Sequence, residues 1–230
     1  APRLAEFARV ERGQRVLDVG CGPGALTAEL VVRLGAPAVS AVDPSEPFVT
    51  AARARHPEVD VRLATAEDLP FRDATFDATL AQLVVHFMPD PVAGIAEMTR
   101  VTRPGGAVAA CTWDFEGDRA PISVFWQVAR ELHGAEGESG EPGTRPGQLS
   151  EYFEAAGLGG IEEAEISATV DHATFEEWWD PFTLGVGPAG TYARSLEEAQ
   201  LSELRERCRQ LLGEPPFTPT AVAWAALGQP

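Results

Sequence analysis

Apolar and polar positions alternate in two different rhythms along the first 115 residues. Val16, Leu17 and Val19 form a short apolar run that predicts a buried strand. From Ala25 to Leu34 the residues Leu26, Leu30 and Leu34 recur at helical spacing, and Gly35 follows where a left-handed cap would sit. The pattern then repeats: Ala38 to Val42 predicts a strand ending in Asp43, and Pro44 to Arg55 predicts a helix. Val59 to Ala64 and Phe76 to Ala81 predict two further strands. Asp90 as N-cap and Pro91 at the first helical position open a helix to about Val101. Gly105 and Gly106 end that connection, and Ala107 to Trp113 makes a fifth strand.

Strands alternating with helices imply a parallel sheet covered on both faces, and right-handed crossovers make it an α/β, Rossmann-like doubly wound fold. Beyond Glu116 the regularity breaks. Helical patterns at Pro121 to Leu132, Ser150 to Ala156 and Ser195 to Leu212 predict a helical cap, the last opened by a Ser195/Glu198 capping box. Ile161 to Val170 and Thr220 to Leu227 add two antiparallel strands to the mostly parallel sheet. Gly134 to Gly147 is expected to be a mobile loop, and Gly185 to Gly190 a hinge or a loop over a pocket. The organisation predicted is a single domain, with residues 1–115 as a ligand-binding core and 116–230 as the cap and last strands. Phe125, Trp126, Trp178, Trp179, Phe182 and Tyr192 in the second half suit either a core or the lining of a pocket for an apolar or aromatic substrate.

The chemistry concentrates at VLDVGCGPG, residues 16–24. Gly20, Gly22 and Gly24 remove side chains where a strand opens into a helix, so backbone can approach a ligand, and the helix N-terminus presents unpaired N–H groups. Gly20, Gly22 and Ala25 loosely satisfy a dinucleotide fingerprint, which keeps that reading open. Asp18 opposes it, because a carboxylate is badly placed beside a pyrophosphate and well placed to meet a cation.

Four more stretches follow in order: AVDPSE at 41–46, AEDLPF at 66–71, FDATLAQLVVHFMPDP at 76–91 and RVTRPGG at 100–106. Together with the glycine loop they resemble the class I S-adenosylmethionine-dependent methyltransferases of the small-molecule type that includes the ubiquinone and menaquinone biosynthesis enzymes. The resemblance covers residues 10 to 113 and implies S-adenosyl-L-methionine as cofactor. It implies that Asp18 lies near the cationic amino acid end, with Gly20, Cys21, Gly22 and Gly24 in close approach. Asp43, followed by Pro44 and Ser45, would accept the ribose hydroxyls, unless it serves only as a helix cap. Thr65, Ala66 and Glu67, with Asp68 after them, would meet the adenine. Thr65 stands where many relatives carry Asp or Asn. Ala81, Gln82 and Leu83 fall where methyl donor and substrate should meet, Gln82 orienting a polar group unless it only starts a helix, and His86 is the candidate general base, with a packed helix face as its alternative. The reaction implied is in-line transfer to an O, N, S or C nucleophile of a small molecule, driven by orientation and exclusion of water. A nicotinamide-dependent oxidoreductase and a non-catalytic cofactor-binding protein are the competing readings. Only a short stretch precedes the first strand, so an open cofactor cleft is expected.

Composition narrows the partners. The formal net charge is −17, and residues beyond 115 carry −13 of it, which argues against nucleic acid. Every basic residue is arginine, so no lysine chemistry is available. Cys21, Cys111 and Cys208 are far apart and predict free thiols, and the scattered His and Cys offer no metal-ligand spacing. With no membrane-length apolar run and no basic-then-apolar leader, a cytoplasmic protein is expected.

Overall fold

The computed structural model describes residues 1–230. In chain order it contains α1 (Pro2–Phe7), β1 (Val16–Val19), α2 (Ala25–Leu34), β2 (Val39–Asp43), α3 (Glu46–Arg55), β3 (Asp60–Leu63) and β4 (Phe76–Gln82). Then come α4 (Pro91–Val101), β5 (Thr102–Trp113), α5 (Ser123–His133), α6 (Gln148–Ala155) and β6 (Gly159–Thr169). The chain ends with α7 (Phe175–Thr183), α8 (Gly187–Ser195), α9 (Glu198–Leu212) and β7 (Thr220–Gln229).

The seven strands form one mixed sheet in the order β3-β2-β1-β4-β5-β7-β6, parallel from β3 to β5 with antiparallel C-terminal strands. The doubly wound expectation is met. β1 and β2 are buried along their whole length, as strands covered on both faces must be, which explains their mostly apolar character and makes the buried Asp18, Ser40 and Asp43 exceptions. The chain leaves β1 for β2 on one side and reaches β4 on the other. The switch point therefore lies at the C-terminal end of β1, where doubly wound sheets bind ligands.

Predicted boundaries hold closely at β1, α2 and α4. Asp90 caps α4 by accepting the Ala93 amide at 3.0 Å, with Pro91 at the first helical position. At Gly105 and Gly106 the structure differs. β5 already starts at Thr102, and its register against β4 jumps from Phe76↔Thr102 to Ala78↔Ala107, so Arg103 to Gly106 form a bulge within the strand. Gly106 is required there, because a Cβ would lie 2.6 Å from the Asp77 carbonyl oxygen.

The chain divides into two compact units. The first comprises residues 1–112, 146–166 and 224–230, so α6, most of β6 and the end of β7 return to it after the break near the predicted boundary of 115. Its core joins Leu17, Val42, Ile95, Met98 and Val108 to Leu149, Phe153 and Ala226, which is why the return is needed.

The second unit comprises residues 113–145 and 167–223, and its core is aromatic. Phe125 stacks on Phe182 with centroids 4.6 Å apart, and Trp178, Trp179 and Phe175 pack around them. The six aromatics singled out in the sequence thus pack into this core. Within the 134–147 loop, the buried Glu138 Oε2 accepts Trp126 Nε1–H at 2.7 Å and the Thr144 hydroxyl donates to the Glu141 carbonyl at 2.7 Å. Two local expectations are corrected within the unit. Of Gly185 to Gly190, only Gly185 and Val186 lie between α7 and α8, and Gly187 to Gly190 open α8, where a Cβ at Gly190 would lie 2.9 Å from the Gly185 carbonyl carbon. The capping box of α9 is Glu197 with Gln200, and Ser195 belongs to the preceding helix. No helix of the protein is long and apolar enough to cross a membrane.

Candidate functional site

A cleft of about 590 Å³ opens where the C-terminal ends of β1, β2, β3 and β4 meet, and it lies wholly within the first unit. Asp18 forms part of its floor and is buried. Thr27, one turn into α2, donates its hydroxyl to Asp18 Oδ2 at 2.6 Å, while Asp18 Oδ1 has no partner. Burial pushes the Asp18 carboxyl up to about 7; the Thr27 bonds oppose the rise and the Asp43 charge adds to it.

The glycine loop is tied to β2. The Gly20 and Cys21 amides both donate to the Val42 carbonyl at 2.9 Å, and the Gly24 amide closes the turn on the Cys21 carbonyl at 2.9 Å. Gly20 holds φ +69° with Val84 packed against it, so that a Cβ would sit 2.6 Å from Val84 Cγ1. Gly22, at φ +53°, has open space where its Cβ would point, which leaves backbone exposed to a ligand. The Cys21 thiol is pushed above its ordinary range by burial and by the neighbouring Asp18 and Asp43 carboxylates.

Asp43 ends β2 with both carboxylate oxygens engaged. Oδ2 accepts the Gly22 amide at 2.8 Å and Oδ1 accepts the Ser45 amide at 2.8 Å. Each oxygen keeps a further lone pair for a hydroxyl. The N-cap of α3 is Ser45, so Asp43 is not that helix's cap.

The structure brings Asp18, Gly20, Cys21, Gly22, Asp43, Pro44, Ser45, Thr65, Ala66, Glu67 and Gln82 to the cleft wall. Gly24, Ala81 and His86 are not on that wall. Gly24 begins α2 in a left-handed conformation against the His56 ring, and Ala81 is fully buried in β4. His86 is buried behind Phe87, with ring centroids 4.0 Å apart, and burial lowers its imidazole to about 4. A general-base role for His86 is therefore left without geometric support.

Leu83, expected near the meeting point of donor and substrate, is on the wall, and sequence reading missed Phe48, Val84, Phe87, Met88 and Pro89, which with it supply the apolar side. Leu83 carries a signal only the backbone reveals, a φ of +60° immediately after β4. Three carboxylates and no arginine or histidine line the cleft. Such a wall favours a ligand that is cationic at one end and bears neighbouring hydroxyls.

The family model described as a methyltransferase domain matches residues 17–110, the stretch that builds this cleft. Those residues are similar to the methyltransferase domain family. The chain is 36% identical over 141 residues to an uncharacterized methyltransferase of Mycobacterium bovis, which covers 61% of this chain and 54% of that protein. It is 36% identical over 167 residues to a ubiquinone biosynthesis O-methyltransferase of Rhizobium johnstonii, covering 68% of this chain and 64% of the other. The chain thus spans roughly half to two thirds of the length of these relatives. Among solved structures, the YcgJ protein of Bacillus subtilis superposes with a TM-score of 0.61 at 20% identity over 99% of this chain and 96% of that one. The cyclase SpnF does so with a TM-score of 0.59 at 19% identity over 99% and 79%. These two share the fold of the methyltransferase domain.

Proposed function

We propose that the cleft binds S-adenosyl-L-methionine and that the protein transfers a methyl group to a small-molecule nucleophile. The observation that carries this reading is Asp18, a buried carboxylate on the cleft wall whose Oδ1 has no hydrogen-bond partner. A cationic ligand group beside it would offset the cost of keeping that charge out of water. The Asp43 oxygens fit ribose hydroxyls, and the exposed backbone at Gly22 fits close approach of the ligand. A dinucleotide fits poorly, since its pyrophosphate would face Asp18, Asp43 and Glu67 with no cation on the wall.

When bound, the cofactor supplies a methyl group already activated on a sulfonium. The chain's own residues then bind, orient and exclude water. Gln82, the last residue of β4 and on the wall, would hold a polar group of the substrate, and Leu83, Val84, Phe87 and Met88 keep that end apolar. With no imidazole on the wall, the reading rests on orientation within a desolvated cleft. An oxygen nucleophile is favoured because the Rhizobium relative is named an O-methyltransferase.

Titration calorimetry with S-adenosylhomocysteine and with NAD tests the cofactor. Binding of the first alone is the expected result; binding of NAD alone would overturn the reading. A product-mass screen over phenols, quinols and amines then tests transfer, and cofactor binding with no methylated product would reduce the protein to a cofactor-binding one.

A further inference from the structure

Residues 64–75 join β3 to β4 and contain no helix or strand, yet Thr65, Ala66 and Glu67 within them form one wall of the cleft. Something outside the segment must set its height. At Leu69, the residue two beyond Glu67, both backbone groups are satisfied by side chains of α4. The Leu69 amide donates to Glu97 Oε2 at 3.0 Å, and Arg100 Nη2 donates to the Leu69 carbonyl at 3.1 Å. The Leu69 carbonyl also accepts the Phe71 amide at 2.8 Å, so the α4 side chains supply the partner that the Leu69 amide lacks and add a second one to its carbonyl.

Arg100 carries the arrangement further along the segment. Its Nη1 donates to the Phe71 carbonyl at 2.9 Å and to Asp73 Oδ1 at 2.7 Å. Its Nε and Nη2 form a bidentate pair with Glu97 at 2.7 Å each. The two side chains are only 32% and 22% exposed, and their mutual bonds raise the guanidinium and lower the carboxyl away from their ordinary values. A planar fork with several fixed donors can do this; a lysine ammonium cannot span the same acceptors. One turn earlier on α4, Gly94 lets the helix press against Ala66, whose Cβ would lie 3.2 Å from a Cβ at that position.

We propose that Glu97 and Arg100 are positioning residues, a side-chain clamp on Leu69 and Phe71 that sets the Thr65–Glu67 wall and with it the affinity for the nucleoside end of the ligand. The clamp rests on the cofactor reading above, and it gives the first arginine of RVTRPGG, Arg100, a role that the cleft itself does not explain.

The test uses the full chain as wild type, Arg100→Met and Asp18→Asn. Amide hydrogen exchange is read without ligand, and calorimetry is read with S-adenosylhomocysteine and with adenosine. In Arg100→Met, exchange at residues 65–74 rises and both ligands weaken by about tenfold, as loss of charged hydrogen bonds to a binding wall implies. In Asp18→Asn, S-adenosylhomocysteine weakens and adenosine does not. If Arg100→Met binds both ligands as tightly as wild type, or weakens S-adenosylhomocysteine alone, the clamp is overturned while the cofactor reading stands. If wild type binds neither ligand, the cofactor reading itself falls. Should Arg100→Met fail to fold, Glu97→Gln keeps an acceptor for the Leu69 amide but removes the ion pair, and weakening of about threefold for both ligands is then expected. Unchanged affinity for both in Glu97→Gln would overturn the clamp equally.

Discussion

Thr27 donates its hydroxyl to one oxygen of the buried Asp18 carboxylate at 2.6 Å and leaves the other oxygen without a partner. A half-satisfied buried carboxylate costs stability once it ionises, and the sign follows from its carboxyl being pushed up to about 7. The unfolded chain loses this proton near the ordinary carboxylate value while the folded protein retains it to about 7. Between those values the folded state binds more protons, so stability falls as pH rises, by on the order of 4 kcal/mol in total. Asp18→Asn removes the titration. Thermal denaturation from pH 4 to 8 should therefore show the variant gaining on wild type as pH rises to about 7 and levelling off above it. A difference that stays flat across that window would refute the assignment.

The same group links pH to ligand binding. A cationic ligand beside Asp18 favours its ionised form, so binding near pH 6.5 should release a proton. Calorimetry of S-adenosylmethionine in two buffers of different ionisation enthalpy measures this, and proton release should vanish in Asp18→Asn.

Asp43 holds the Gly22 and Ser45 amides, each at 2.8 Å, and so couples the ligand's hydroxyl site to the shape of the glycine loop. Asp43→Ala removes both functions and is expected to weaken S-adenosylhomocysteine by about 10- to 100-fold, from charged hydrogen bonds worth roughly 1.5–3 kcal/mol. Asp43→Asn keeps one oxygen acceptor and should lose less. Equal affinity in wild type and Asp43→Ala would remove Asp43 from the site.

Gly20 and Gly22 separate folding from binding. Gly20→Ala drives a methyl into Val84, 2.6 Å from Cγ1, and should destabilise the protein by about 1–3 kcal/mol. Val84→Ala should recover part of that loss. Gly22→Ala meets no atom within 4 Å and adds no clash to the strain of its positive φ, about 1–2 kcal/mol, so it should destabilise less than Gly20→Ala while ligand affinity drops. Melting curves with and without S-adenosylhomocysteine distinguish the two; a Gly22→Ala protein that binds normally would contradict the close approach.

Cys21, Cys111 and Cys208 are buried free thiols, and burial pushes Cys111 and Cys208 up to about 12 and Cys21 above its ordinary range as well. The native protein should therefore resist iodoacetamide at pH 8, even at Cys21 in the cleft, and take up the label after denaturation. Rapid native labelling at Cys21 would show that the carboxylates beside it do not suppress its thiolate.

The alternating strand and helix pattern, the Asp90–Pro91 helix start and the glycine loop were legible in the sequence because each depends on neighbours within a few positions. So were Asp18 and Asp43, since strand ends in a parallel sheet converge on one edge. The bulge at Arg103 to Gly106 was not, because it arises from a register jump against β4. Nor was the fate of Trp126, Trp178 and Phe182, as spacing cannot tell an aromatic that packs on its fellows from one that faces a ligand. His86 illustrates the same limit: its position near the end of β4 suggested chemistry, and only packing showed it buried behind Phe87.

What the sequence determined by itself was the order of elements and the residues delivered to the C-terminal edge of the sheet, because periodicity and turn chemistry are local. What only the tertiary structure decided was which atoms there remain unpaired and what holds the cleft wall in place. Asp18 Oδ1 is bare because Thr27 reaches one oxygen and not both, and Leu69 is fixed by Glu97 and Arg100, 28 and 31 residues further along the chain. Such distances in sequence become contacts only when the helices pack onto the sheet.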